Sequence, residues 1–125
     1  MSNLLLVLMM TLTLVAPFAG PRNRPPIAND DELVLLYHPV PTVDIPVLEN
    51  DTDPDSDPLV VTSLPMIDGG KAEIVGGNVV RVYLDWSTGV GYLGGLVAHG
   101  TYVVSDGIAQ SRASWYVWYW PEIQP

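Results

Sequence analysis

Apolar positions recur along this chain in short bursts, often with a period of two. Leu33 to Tyr37 is a first apolar run. Thr42 to Leu48 alternates, with Val43, Ile45 and Val47 on one face. Pro46 inside that run predicts an edge strand or a bulge, because proline has no N–H to give to a ladder. Leu59 to Leu64, Lys71 to Val75, Val79 to Leu84, Thr101 to Ser105 and Ala113 to Trp120 complete the series. Turn signals separate the runs: the acidic stretch Asn50 to Pro58, Asp68-Gly69-Gly70, Gly76-Gly77-Asn78 and Asp106-Gly107. Gly89 to Gly100 is rich in glycine and reads as a loop. After Gly20 no amphipathic helical pattern occurs. The pattern predicts an all-β sandwich of about seven strands.

The first 20 residues carry no charged side chain, and Leu4 to Ala19 is apolar. Two readings stand. One is a secretory signal peptide cleaved after Ala19 or Gly20, favoured by the small residues at its end. The absence of Lys or Arg before the run counts against it, as do Pro17 and Pro21. The other is a retained assembly arm. The run is shorter than the roughly 20 residues of a membrane span. Met10 to Leu14 alternates like a strand and suits addition to a neighbouring subunit's sheet edge. Residues 21–26 (PRNRPP) read as an extended linker. The expected organisation is an arm at 1–20, a linker at 21–26, a sandwich at 27–120 and a C-terminal tail at 121–125.

Charge narrows the partners. The net charge is −9, and nine of the 14 acids lie between Asp30 and Asp57 with no Lys or Arg among them. That field repels nucleic acid phosphates and anionic headgroups and attracts cations. A nucleic-acid partner is excluded on this ground. A membrane role beyond export has no support. The chain has no cysteine, so disulfides and thiolate metal sites are excluded.

Three segments carry a resemblance. They are NRPPIANDDE from Asn23, IPVLENDTDPDSDPLV from Ile45 and YVVSDG from Tyr102. Together they resemble the bacterial Ig-like and cadherin-like tandem repeat of large surface adhesins and phage structural proteins. The likeness covers roughly Asn23 to Tyr119. It implies an immunoglobulin-like, cadherin-like Greek-key β-sandwich with an N-terminal arm. The sequence departs from the family in GYLGGLVAHGTY, in the aromatic last strand ASWYVWYW and in holding a single copy. The spacing of Gly100, Tyr102 and Val104 resembles a tyrosine corner. Tyr102 is then expected near the start of the sixth strand, bonded to upstream backbone.

Two candidate sites emerge. Asp51, Asp53, Asp55 and Asp57 alternate through the acidic turn, and oxygen ligands so placed suit Ca²⁺. The spacing begins like an EF-hand but fails, with Ser56 in place of glycine and Thr62 in place of the bidentate glutamate. The resemblance adds Asp30, Asp31 and Asp106 to the metal candidates. The plainer alternative is that these acids cap local backbone N–H groups in tight turns. The second candidate is the last strand. Ala113, Trp115, Val117 and Tyr119 share one face, assigned to the core. Tyr116, Trp118 and Trp120 share the other with Ser114, forming a partner-contact stripe. Its expected occupants are protein subunits of the same or a larger assembly, a covering segment of the chain itself, or glycans.

Catalysis lacks support. No G-x-S-x-G elbow, H-E-x-x-H or P-loop is present. His38 and His99 are expected in separate surface loops. The sequence therefore predicts a non-catalytic structural or adhesive module on a virion, filament or cell surface. The rival readings are a secreted, Ca²⁺-stabilised adhesion domain and a carbohydrate-binding module.

Overall fold

The computed structural model describes residues 22–87 and 93–121, and the statements below concern these. The expected arm at 1–20 and the tail beyond Pro121 lie outside them. Seven strands follow in order: β1 (Asp31–Tyr37), β2 (Thr42–Ile45), β3 (Val60–Asp68), β4 (Gly70–Val75), β5 (Val79–Leu84), β6 (Gly95–Ser105) and β7 (Gln110–Pro121). They form a four-stranded sheet, β1-β7-β6-β3, and a three-stranded sheet, β2-β5-β4. β1 runs parallel to β7, and the other pairings are antiparallel.

Period-two burial builds the core. Val43, Ile45 and Val47 are buried, as are Val80 and Val82 of β5. From the larger sheet come Val61, Ala98, Tyr102, Val104, Ala113, Trp115 and Val117. β-branched side chains suit this pleated, buried surface. Pro46 lies just past the end of β2, itself an edge strand, and its carbonyl accepts from the Glu49 N–H. Pro65 sits within β3, also an edge strand, inside the register shift between Ser63 and Met66. Both prolines are where a missing N–H is tolerated.

Two expectations are corrected. Gly95 to Gly100 is not loop but the first half of β6. At Gly100 the glycine answers close approach rather than a turn. A Cβ on Gly100 would run into the Met66 carbonyl and the Trp115 ring. Tyr102 accordingly lies in the second half of its strand, not near its start.

The segment before β1 is bound to the sandwich. Asn23 donates to Asp106 Oδ2 at 2.8 Å, Arg24 pairs with Asp55, and Pro26 is buried with its carbonyl accepting from Ser111. Ile27 bridges Thr52. The acidic turn is thereby fastened beside the start of β1, at one pole of the domain.

Candidate functional site

The seven candidate aspartates divide into two groups. Asp31 and Asp51 meet at Tyr102, and Asp30 lies beside Asp31. The Tyr102 hydroxyl donates to Asp51 Oδ2 at 2.6 Å and lies 3.0 and 3.2 Å from the Asn29 and Val47 carbonyls. This is the backbone tie expected of a tyrosine corner, with a carboxylate added. Burial, then the bond to Asp51, holds the Tyr102 proton on well above the usual tyrosine range. Asp51 Oδ1 accepts from the Asn29 N–H, and Asp30 Oδ1 accepts from the Ser114 N–H. Asp31 Oδ2 is buried without a hydrogen-bond partner. Its carboxyl is pushed up to about 7, chiefly by burial and then by the Asp51 charge.

Asp53, Asp55, Asp57 and Asp106 form the second group. The first three each bring a carboxylate oxygen within 4.8 Å of the others. Asp53 Oδ1 accepts from the N–H groups of Asp55 and Asp57. Asp53 Oδ2 is buried and unpartnered. Asp55 takes Arg24 at 2.8 Å, and that arginine, with its backbone N–H first, draws the Asp55 carboxyl below its usual range. Asp57 is pushed up, by desolvation first and then by Asp53. Asp106 accepts from the Ala109 N–H, from Asn23 and from the Ile108 N–H, which in that order hold it down to about 2. Turn capping thus occupies much of this group, as the plainer reading expects. The oxygen donors at Asp53 and Asp57 still fit a hard cation.

The aromatic strand is built as its alternation predicts. Ala113, Trp115, Val117 and Tyr119 are buried. Trp118 and Trp120 stack on the outer face with centroids 6.3 Å apart and planes at 8°. Tyr116 stacks instead on His99. His99 is a β6 residue, not a loop residue, and its Nε2 lies 3.0 Å from Asp68 Oδ2.

The sequence reading missed what lies beside the tryptophans. The parallel register sets Val34 against Trp118 and Leu36 against Trp120. Leu96 of β6 pairs with Trp118 from the other side. Val34 is 50% exposed, Leu36 55% and Trp120 50%. An apolar patch therefore spans three strands at the pole opposite the acidic turn. The other sheet's outer face is polar by contrast, with Arg81 forked onto Asp44 and Tyr83 bonded to Glu73. The unbroken apolar run Leu33 to Tyr37 is the available signal for Val34 and Leu36, because an extended strand must turn alternate members of such a run outward. Pairing between the first and last strands was not readable from local pattern.

Comparison with known proteins adds the family. The family model described as bacterial Ig domain matches residues 23–116. No curated protein matches the chain. Among solved structures it is similar to two endo-fucoidan hydrolases from glycoside hydrolase family 107. MfFcnA4 is 16% identical with a TM-score of 0.48 over 87% of this chain. MfFcnA9 is 19% identical with a TM-score of 0.44 over 82% of this chain. The chain spans 15% and 17% of their lengths, and a likeness this slight carries no argument about activity.

Proposed function

We propose that this chain, which belongs to the bacterial Ig domain family, works as a non-catalytic structural or adhesive module of a surface assembly. Its contact with protein subunits is the outer face of the larger sheet. One observation carries this reading: stacked Trp118 and Trp120 flanked in register by exposed Val34, Leu36 and Leu96. Exposed aromatic and aliphatic groups clustered on one face are the chemistry of contact hot spots. Tryptophan stacked on tryptophan also has one ring face already covered, which favours a protein partner over a sugar. Trp120→Ala should weaken binding to the native assembly by about tenfold or more while the melting temperature changes little. Unchanged assembly would remove this face as the joint, and selective retention on a glycan array would move the reading to carbohydrate.

A second reading is supported by the convergence of Asp53, Asp55 and Asp57 and by the unpartnered Asp53 oxygen. Here the module is an extracellular adhesion domain stiffened by Ca²⁺. Asp53 and Asp57 would hold the ion, with Asp106 close by. Asp55 would have to exchange Arg24 for it. The bound ion would supply a fixed positive charge between carboxylates that otherwise repel. Thermal melting with and without Ca²⁺ tests it.

A further inference from the structure

The chain enters its domain at the pole that lacks the tryptophans. Going back from β1, its partners step down the β6–β7 hairpin to the turn. Asp31 stands opposite Trp115, Asp30 holds Ser114, Pro26 holds Ser111 and Asn23 holds Asp106. Arg22 lies at that turn beside Ile108. The apolar face is at the other end of the same strands. It extends past Trp120, because exposed Leu93 adjoins Gly94, which lies against Trp120 and Pro121. Between the two poles the outer face is polar. Glu32 pairs with Tyr116, Tyr116 with His99, and Arg112 lies nearer the turn.

We propose that the uncharged segment Leu4–Ala19 of one copy packs on the Trp118 and Trp120 face of a second copy. The second copy's tryptophan pole then meets the first copy's acidic pole. The proposal rests on the subunit-contact reading and names the occupant of that face. Charge selects the segment. All 14 acids follow residue 20, so folded copies at −9 repel, whereas Leu4 to Ala19 carries no charge to the joint. The same arrangement keeps acidic poles apart. The point of entry selects a second copy over the segment's own domain. From Gln110 to Trp120 β7 runs about 33 Å, at roughly 3.3 Å per residue. A segment laid back over its own domain would cover Arg112, Glu32 and His99 with apolar side chains, at a cost in lost hydration. A neighbour's tryptophan pole at the entry point demands no such crossing. Met10, Leu12 and Leu14, extended, span about 13 Å, and the outer two of the three strands of the face stand about 10 Å apart. The contact is heterologous, so each copy offers one segment and one face and the assembly can grow.

Sedimentation velocity of the full chain over a range of concentrations tests it, with intact mass showing residues 1–20 present. Association past the dimer is expected as concentration rises. Leu12→Asp sets a carboxylate against the tryptophans, and Trp120→Ala removes their outer ring. Each should weaken association about tenfold or more with the melting temperature unchanged. Mixed together, the two variants should form a 1:1 complex, because one supplies the face and the other the segment. Growth should stop there. A monomer at every concentration overturns the proposal, as does native protein that lacks residues 1–20. So does a mixture that stays monomeric or grows past two. Association that falls with Trp120→Ala but ignores Leu12→Asp would sink the segment and keep the face as the subunit contact. Association that falls with Leu12→Asp but ignores Trp120→Ala would sink both.

Discussion

Buried polar groups decide most at the level of single residues. Asp31 sits beside Asp51, Asp30 and Asn50, under the Tyr102 hydroxyl, with its carboxyl held near 7 against an ordinary 3.8. The fold thus prefers the protonated acid. Below about pH 4 folded and unfolded chains both carry the proton, and nothing is lost. Between about 4 and 7 the unfolded chain releases its proton first, so stability falls as pH rises. Above about 7 the loss is complete. After discounting for solvent screening at this half-open site it is on the order of 1–2 kcal/mol. Asp31→Asn should flatten that slope in melts taken from pH 4 to 8, and a slope that persists would acquit Asp31. Asp106 acts oppositely, because its carboxyl is held low. Its contribution is present above about pH 4 and fades as pH falls toward about 2. The sequence marked these aspartates but not their partners. Asn29, Asn23 and Ser114 meet them across 22, 83 and 84 residues of chain, a separation no local pattern encodes.

Among the strands, alternation read the core faces of β2 and β7 correctly and misjudged β6. Glycine in Gly95 to Gly100 reads as turn chemistry from sequence. At Gly100 it stands because the Met66 backbone and the Trp115 indole leave no room for a side chain. Gly100→Ala should therefore destabilise by about 2 kcal/mol or more. Thermal melting would show a drop of roughly 10 °C. A drop of only a degree or two would mean that β6 can shift away from β3 without loss. β1 shows the opposite limit. Its existence was legible from Leu33 to Tyr37, but its place beside β7 was not, so the patch around Trp118 and Trp120 looked narrower than it is.

Taken whole, the molecule is polar along its length, with carboxylates at one pole and exposed tryptophan and leucine at the other. The acidic pole is where an ion would act on global stability. If Ca²⁺ binds only the folded chain, the ion at 100 times its dissociation constant adds about 2.7 kcal/mol. The midpoint at millimolar Ca²⁺ should then rise by several degrees, and Asp53→Asn should abolish the rise. A midpoint indifferent to Ca²⁺ would leave capping as the sole role of that turn.

The parallel run of β1 along β7 also bears on how the module would take tension. A pull applied between Arg22 and Pro121 draws the two strands along each other in opposite directions. The rungs from Asp31–Trp115 to Tyr37–Pro121 then share the load at once instead of opening like a zip. Under force the domain should yield late and abruptly, at a rate set by the rupture of that one ladder.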